Sequence, residues 1–281
     1  MENYKDKKYN LKNDIIFKAF FARKGNEEFL KDFLESLLKL DIADIQIEDE
    51  VSLEKLRETE KGGRLDLQAI LNNGTIVNIE LQIRNEYNIE ERTTYYSSKV
   101  ISRETQRGTA YEDIKQVIMI NILGYEMFEY DDYISRSAIV LENHREYEVL
   151  KGIKWYFIEL PKFRKQHPNM DDKVNQWLAF IDDNDRGLVK MAEEKNKTIK
   201  KAREEMTYLT GDEEVQRLAW LREKWEMDRV SAIKHAEKQG EQLGKKDNQI
   251  EIAKKLLQRK MPIEDIQEIT LLSKEEIEKL K

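Results

Sequence analysis

The chain has no cysteine, which excludes disulfides and thiolate-bound zinc and fits a reducing, cytoplasmic setting. Histidine is almost as scarce. His144, His167 and His235 are scattered and share no ligand spacing, so a zinc site built on imidazole is not expected. No apolar run reaches the roughly 18 residues needed to cross a bilayer, so no membrane partner is expected. Residues 1–11 are polar and charged, unlike a secretory signal. Cationic charge is in deficit as well. The 49 Lys and Arg residues against 56 Asp and Glu leave a formal net charge of −7. That balance argues against a broad nucleic-acid footprint, because Lys and Arg supply most non-specific affinity for phosphate. It remains compatible with a basic face, or with a carboxylate site whose charge a bound cation offsets.

With 281 residues and 40% hydrophobic content, the chain can hold one sizeable core and a smaller appended module. Charged residues make up 37% of it, against about 25% in ordinary globular domains. The excess falls mainly after residue 185, which predicts an extended or loosely packed helical region there.

Asn13 is placed to cap a helix carrying Ile15, Ile16, Phe17, Ala19, Phe20 and Phe21. A second helix is expected from Asn26, with Phe29, Phe33, Leu34, Leu37 and Leu38 at helical spacing. Residues 42–51 are strand-like. Residues 90–106 have helical spacing, with Thr94, Val100 and Ile101 expected inward, Arg92, Lys99, Arg103 and Arg107 interspersed, and Gly108 as the stop signal. Val117 to Leu123 is a near-continuous apolar run of strand length, as in a central strand buried on both faces. Ala138–Leu141 and Trp155–Leu160 read as further strands, the latter closed by Pro161. Strands alternating with helices predict an α/β core, a mixed sheet flanked by helices.

From Asp172 onward the pattern is helical, with Val174, Trp177, Leu178 and Ile181 on one face. A long charged helix is expected from Asp212 to about Leu257, interrupted by Gly240 and Gly244. Each such glycine costs about 1 kcal/mol relative to Ala. Residues 250–281 read as three short helices, the last opened by Ser273 and Glu276 in capping-box spacing. Seven basic and seven acidic residues lie in that stretch, and Glu275, Glu276 and Glu278 in its last helix would repel phosphate. An interaction module suits it better than a DNA reader. The expected domains are therefore 1–184, a charged helical linker 185–249, and a three-helix module 250–281, through which the chain could self-associate.

The most informative segment is Gly63-Arg64-Leu65-Asp66-Leu67-Gln68-Ala69, followed after Asn72-Asn73-Gly74 by Val77-Asn78-Ile79-Glu80-Leu81-Gln82. Two alternating runs around an Asn/Gly turn predict a β-hairpin. If Asn72 to Gly74 form a three-residue loop with Gly74 left-handed, Leu71 pairs with Thr75 and Asp66 stands opposite Glu80. Gln82 then shares their face, while Leu65, Leu67, Ala69, Ile79, Leu81 and Ile83 occupy the other. A two-residue Asn73-Gly74 turn would put Asp66 and Glu80 on opposite faces and oppose polar to apolar residues. Two facing carboxylates repel unless a cation lies between them. Mg²⁺ prefers one or two carboxylates plus water and substrate oxygens, which Asp66 and Glu80 suit. On residue pattern alone, a solvated strand face accounts for the same two carboxylates.

Asp66, one hairpin from Glu80-x-Gln82, resembles the motif of the PD-(D/E)XK nuclease superfamily. Further segments narrow this: Asp14-Ile-Ile-Phe17-Lys18-Ala-Phe20, Leu65-Asp66-Leu67, Arg92-Thr-Thr-Tyr95-Tyr96 and Gly108-Thr-Ala-Tyr111. Together they are similar to the Rpn family of recombination-promoting nucleases and putative transposases, over roughly residues 10–160 and in the region leading into the C-terminal helices. The resemblance implies a restriction-endonuclease-like fold with a helical C-terminal extension. It also implies Mg²⁺-dependent DNA endonuclease activity, with Mn²⁺ as a substitute, linked to recombination or transposition. Asp66, Glu80 and the Leu81 carbonyl would hold the metal, and Gln82 would act in catalysis. Asp14, Arg92 and Lys99 are supporting or DNA-contacting candidates. Leu65 stands where the superfamily often has Pro, and Gln82 replaces its usual Lys; an amide can orient water but brings no positive charge. Arg92 has an alternative as an ion-pair partner of Glu90 or Glu91, Asp14 as a helix cap, and Tyr95 and Tyr96 as packing residues. A non-catalytic DNA-binding or protein-interaction protein that retains the fold is the competing function.

Overall fold

A computed structural model of the chain describes residues 7–48, 67–104 and 110–280. Asp66, Leu65, the charged loop expected at 54–63, Arg107 and Gly108 lie outside the described residues. The chain divides into two compact units, Met1–Glu223 and Lys224–Lys281.

Among the described residues of the first unit, a six-stranded sheet is assembled from β1 (Ile45–Glu48), β2 (Leu67–Leu71), β3 (Ile76–Gln82), β4 (Val117–Leu123), β5 (Ile134–Leu141) and β6 (His144–Glu159). The order across it is β1-β2-β3-β4-β6-β5. Strands β3, β4 and β6 run parallel at the centre, and the β1–β2, β2–β3 and β5–β6 pairs are antiparallel. Every residue of β4 is buried, as its continuous apolar run predicts. Because β6 lies inside the sheet, Pro161 marks a strand end; it opens α4 (Leu160–Lys165), where its missing N–H leaves no gap.

The β2–β3 hairpin has the expected three-residue loop. Leu71 N–H donates to Thr75 O at 2.9 Å and Gly74 N–H to Leu71 O at 2.8 Å. Gly74 has φ +82°, a conformation that a side chain would strain. Asn73 Oδ1 accepts from Thr75 N–H at 2.9 Å. The register runs Ile70↔Ile76, Ala69↔Val77, Gln68↔Asn78 and Leu67↔Ile79.

One face of the sheet meets the main core. Leu67, Ala69, Val77, Ile79, Ile118, Ile120, Ile122 and Ile158 join residues of α1 (Asp14–Phe21), α2 (Glu27–Leu38) and α5 (Lys173–Asp182) there. Asn13 caps α1, accepting from Ile15 and Ile16 N–H. Phe21, Phe33 and Phe180 gather around the fully buried Trp177, whose indole N–H donates to Asp32 Oδ2 at 2.7 Å. The opposite face is covered by α3 (Ile89–Glu104), with Val100 packed on Ile76, Val117 and Met119. Thr93 and Ser97 point inward on α3, and Thr94 is exposed, its hydroxyl donating to Glu90 O. The expected inward Thr94 is thus displaced by one position, because Thr93, Ser97 and Val100 make the 3–4 spaced stripe.

After residue 185 the structure departs from the loose linker that the charge density suggests. Helices α6 (Arg186–Lys195), α7 (Lys197–Gly211) and the start of α8 (Glu213–Gln258) add Ala192, Ile199, Ala202, Met206, Leu209, Val215, Leu218 and Ala219 to the main core. Their apolar stripes are narrow and formed partly of alanine, so the charged faces dominate the composition. Within the second unit, α9 (Ile263–Thr270) and α10 (Lys274–Glu278) pack Ile266, Leu272 and Ile277 against Ala253 of α8. The expected Ser273/Glu276 capping box is present. Glu276 is held down near a pKa of about 2, first by the Ser273 N–H and then by Lys246.

Candidate active site

Strand β3 sends Val77 and Ile79 into the main core, so Asn78, Glu80 and Gln82 face α3. Neighbouring strands extend that face. The parallel register sets Glu80 beside Asn121 of β4, and Asn121 beside Phe157 of β6. Glu80 is only 3% exposed and Gln82 6%. A buried carboxylate demands a cation or several donors. The chain supplies a guanidinium: Arg92, one turn into α3, hydrogen-bonds Glu80 through Nη2, and its Nη1 donates to Glu86 Oε2 at 2.9 Å. Arg92 therefore pairs with Glu80 and Glu86, in place of the expected Glu90 or Glu91.

Around this pair the polar groups are ordered. Thr93 Oγ1 donates to Asn121 Oδ1 at 3.2 Å, and Asn121 Nδ2 to Tyr156 O at 3.3 Å. Trp155 Nε1 donates to Ser97 Oγ at 2.9 Å, which fixes α3 over the sheet. Beyond β4, Gly124 N–H donates to Gln82 O at 2.9 Å. A Cβ on Gly124 would stand 2.7 Å from Ile83 Cα, so only glycine allows this approach. Tyr125 follows, its hydroxyl buried without a hydrogen-bond partner among the described residues. Burial pushes the Tyr125 pKa up to about 12; Arg92 opposes the rise, and Glu80, Glu86 and Glu159 add to it. Deeper on the same face, the fully buried Glu159 accepts from Phe128 N–H at 3.2 Å and from Lys162 Nζ at 2.9 Å.

The expected site residues fall into three groups. Glu80 and Gln82 are brought together on one face, with Arg92 bonded to the former. Leu81, between them in β3, turns its side chain to the main core. Asp14 stands apart: its carboxylate accepts from Arg222 Nε at 2.7 Å and from its neighbour Ile15 N–H, while Asn13 does the capping. Lys99 is exposed on α3, two turns beyond Arg92. Asp66 lies outside the described residues. The sequence reading missed Asn121, Glu86 and Tyr125. Asn121 left a signal, as the one polar residue in an otherwise aliphatic strand. Glu86 left none, because a loop carboxylate resembles any other.

Among the described residues, no three His, Asp or Glu side chains cluster as a ready-made metal cage. Those present nonetheless fit a hard divalent cation that keeps water and substrate ligands and takes only one or two carboxylates. Glu80 would supply one such carboxylate. Beside it, both the oxygen and the nitrogen of the buried Gln82 amide lack hydrogen-bond partners among the described residues. A buried amide left open on both ends suits a water or an oxygen ligand that arrives with the cation.

A mixed sheet flanked by helices, with a buried acid and amide two residues apart on a central strand, defines an α/β protein whose fold is consistent with a PD-(D/E)XK nuclease. The family model for PD-(D/E)XK nuclease family transposases matches residues 11–236, and the chain belongs to that family. No curated protein and no solved structure matches the chain significantly. Membership agrees with the Rpn resemblance, with a restriction-endonuclease-like fold carrying C-terminal helices, and with a nuclease- or transposase-like role that implies contact with DNA. Nucleases of this superfamily typically use divalent metals. Among the described residues, no helix is long and apolar enough to cross a membrane.

Proposed function

We propose that the protein is a metal-dependent DNA endonuclease that hydrolyses phosphodiester bonds during recombination or transposition. Asp66, Glu80 and the Leu81 carbonyl would hold the cation, Mg²⁺ with Mn²⁺ as a substitute. When bound, that ion polarises the phosphoryl oxygen and lowers the pKa of water. Gln82 orients the attacking water through its amide, accepting a hydrogen bond at Oε1 or donating one from Nε2. Arg92 and Lys99 attract the phosphate backbone along α3. Asp14 has no part in this reading, because Arg222 already engages it. The catalytic domain lies in the first unit, and the C-terminal helices serve self-association.

The observation that carries the reading is the pairing of a buried Glu80 with an unsatisfied Gln82 in a chain of this family. A folded protein tolerates an amide with neither end bonded, at about 1–3 kcal/mol, where function needs it. A non-catalytic DNA- or protein-binding descendant of the fold is favoured by one fact: Arg92 closes over a Glu80 that solvent barely reaches. Supercoiled plasmid incubated with Mg²⁺ separates the two. The endonuclease nicks it, EDTA stops the reaction, and Asp66→Ala and Glu80→Ala lose it by about 100-fold or more. Equal nicking by all three proteins would reveal a contaminant and end the proposal.

A further inference from the structure

A guanidinium and a divalent cation that share the Glu80 carboxylate compete for it. Two like charges about 4 Å apart repel strongly in a site with little water. Arg92 Nη2 pairs with Glu80, and the same guanidinium reaches a second carboxylate, Glu86, through its other terminal nitrogen. Glu86 belongs to the loop that joins β3 to α3, beside Tyr87, which is 89% exposed at φ +56°. Arg92 is therefore already half seated on an acceptor outside the metal position. A carboxylate can take both terminal nitrogens of a guanidinium in a fork.

We infer that Arg92 is an internal counter-cation that neutralises Glu80 in the metal-free protein and withdraws onto Glu86 when metal loads. Glu86 is the receiving group that makes withdrawal feasible. The buried Glu80 carboxylate then keeps a positive partner in both states. The arrangement sets metal affinity by competition, and it leaves the loaded guanidinium at the loop rim, where a phosphate can meet it. The inference rests on the reading of Glu80 as a metal ligand, and it assigns Glu86 and Arg92 positioning roles, not catalytic ones.

The test is Mn²⁺ binding to the full chain, followed by calorimetric titration and by the metal-induced rise in melting temperature. Arg92→Met should bind Mn²⁺ about tenfold more tightly than the native chain, and Glu86→Gln about tenfold more weakly, the range expected for groups that tune a ligand from behind. Simple charge effects would produce both changes independently, so the decisive protein is the double variant. If Glu86 acts through Arg92, Glu86→Gln has no effect on Mn²⁺ affinity in the Arg92→Met background. Additive effects would overturn the inference. Should Arg92→Met fail to fold, Arg92→Gln keeps a polar side chain without the charge, and it takes the same place in the cycle. Glu80→Gln separates the two readings. Loss of the Mn²⁺ response in that variant, with additive Arg92 and Glu86 effects, leaves the metal site standing and removes the exchange. A native chain without any Mn²⁺ response removes both.

Discussion

At the scale of single residues, Gln82 shows how stability and function separate. Its amide is buried with neither end bonded among the described residues, and removing such a group relieves a desolvation penalty. Gln82→Met conserves volume and should raise unfolding free energy by about 1 kcal/mol in urea titrations. The same change should lower plasmid nicking by about 100-fold. A variant that is both less stable and fully active would show that Gln82 is a packing residue. Asp182 makes a pH prediction. Its pKa is raised, first by burial, while Lys12 at 3.5 Å and Arg164 at 3.1 Å pull it down. A raised folded pKa stabilises below the ordinary carboxylate value, and that contribution is lost as pH climbs through the folded pKa. Asp182→Asn lacks this titration. Its stability relative to the native chain should therefore increase from pH 3 to pH 7 in paired urea curves. A constant difference would mean that the two ion pairs fully offset burial.

Among the elements, the β2–β3 hairpin and the helix that follows it decide the site. The hairpin was legible because a three-residue turn ending in Gly74 fixes register, and register fixes which side chains share a face. Helix α3 was less so. Its inward stripe uses Thr93 and Ser97, which look no more buried in a sequence than Thr94 or Ser98. Hydroxyls bonded within the helix or to Asn121 make those positions tolerable. Gly124 couples the elements, bringing the end of β4 against the residue after Gln82. Gly124→Ala forces backbone apart at that point and should destabilise by about 2–3 kcal/mol in thermal or urea unfolding. A loss under about 0.5 kcal/mol would show that the β3–β4 ends yield easily.

For the whole molecule, the acidic balance sets how DNA can be approached. With a net charge of −7, tight binding without a divalent cation is not expected. Ca²⁺, a hard cation that takes oxygen ligands without the strict geometry of Mg²⁺, should strengthen DNA binding in fluorescence anisotropy. That binding should fall about tenfold per doubling of salt if about four phosphates are neutralised. Affinity indifferent to Ca²⁺ would place DNA away from Glu80. The extent of the first unit was hard to foresee from the sequence. Stripes such as Ile199, Ala202, Met206 and Leu209 are diluted by charge, and only packing against the sheet's helices exposes them as core.

The sequence by itself determined the local features: caps, the hairpin register, the buried central strand and the order of motifs that marks the family. Those depend on neighbours a few residues apart. Tertiary structure alone decided that Arg92 would meet Glu80 and Glu86, that Asn121 would lie beside them, and that Asp14 would pair with Arg222. Such contacts join strands and helices whose spacing along the chain carries no periodic trace. They follow from which face of the sheet each helix covers, which is set by the summed burial of many side chains.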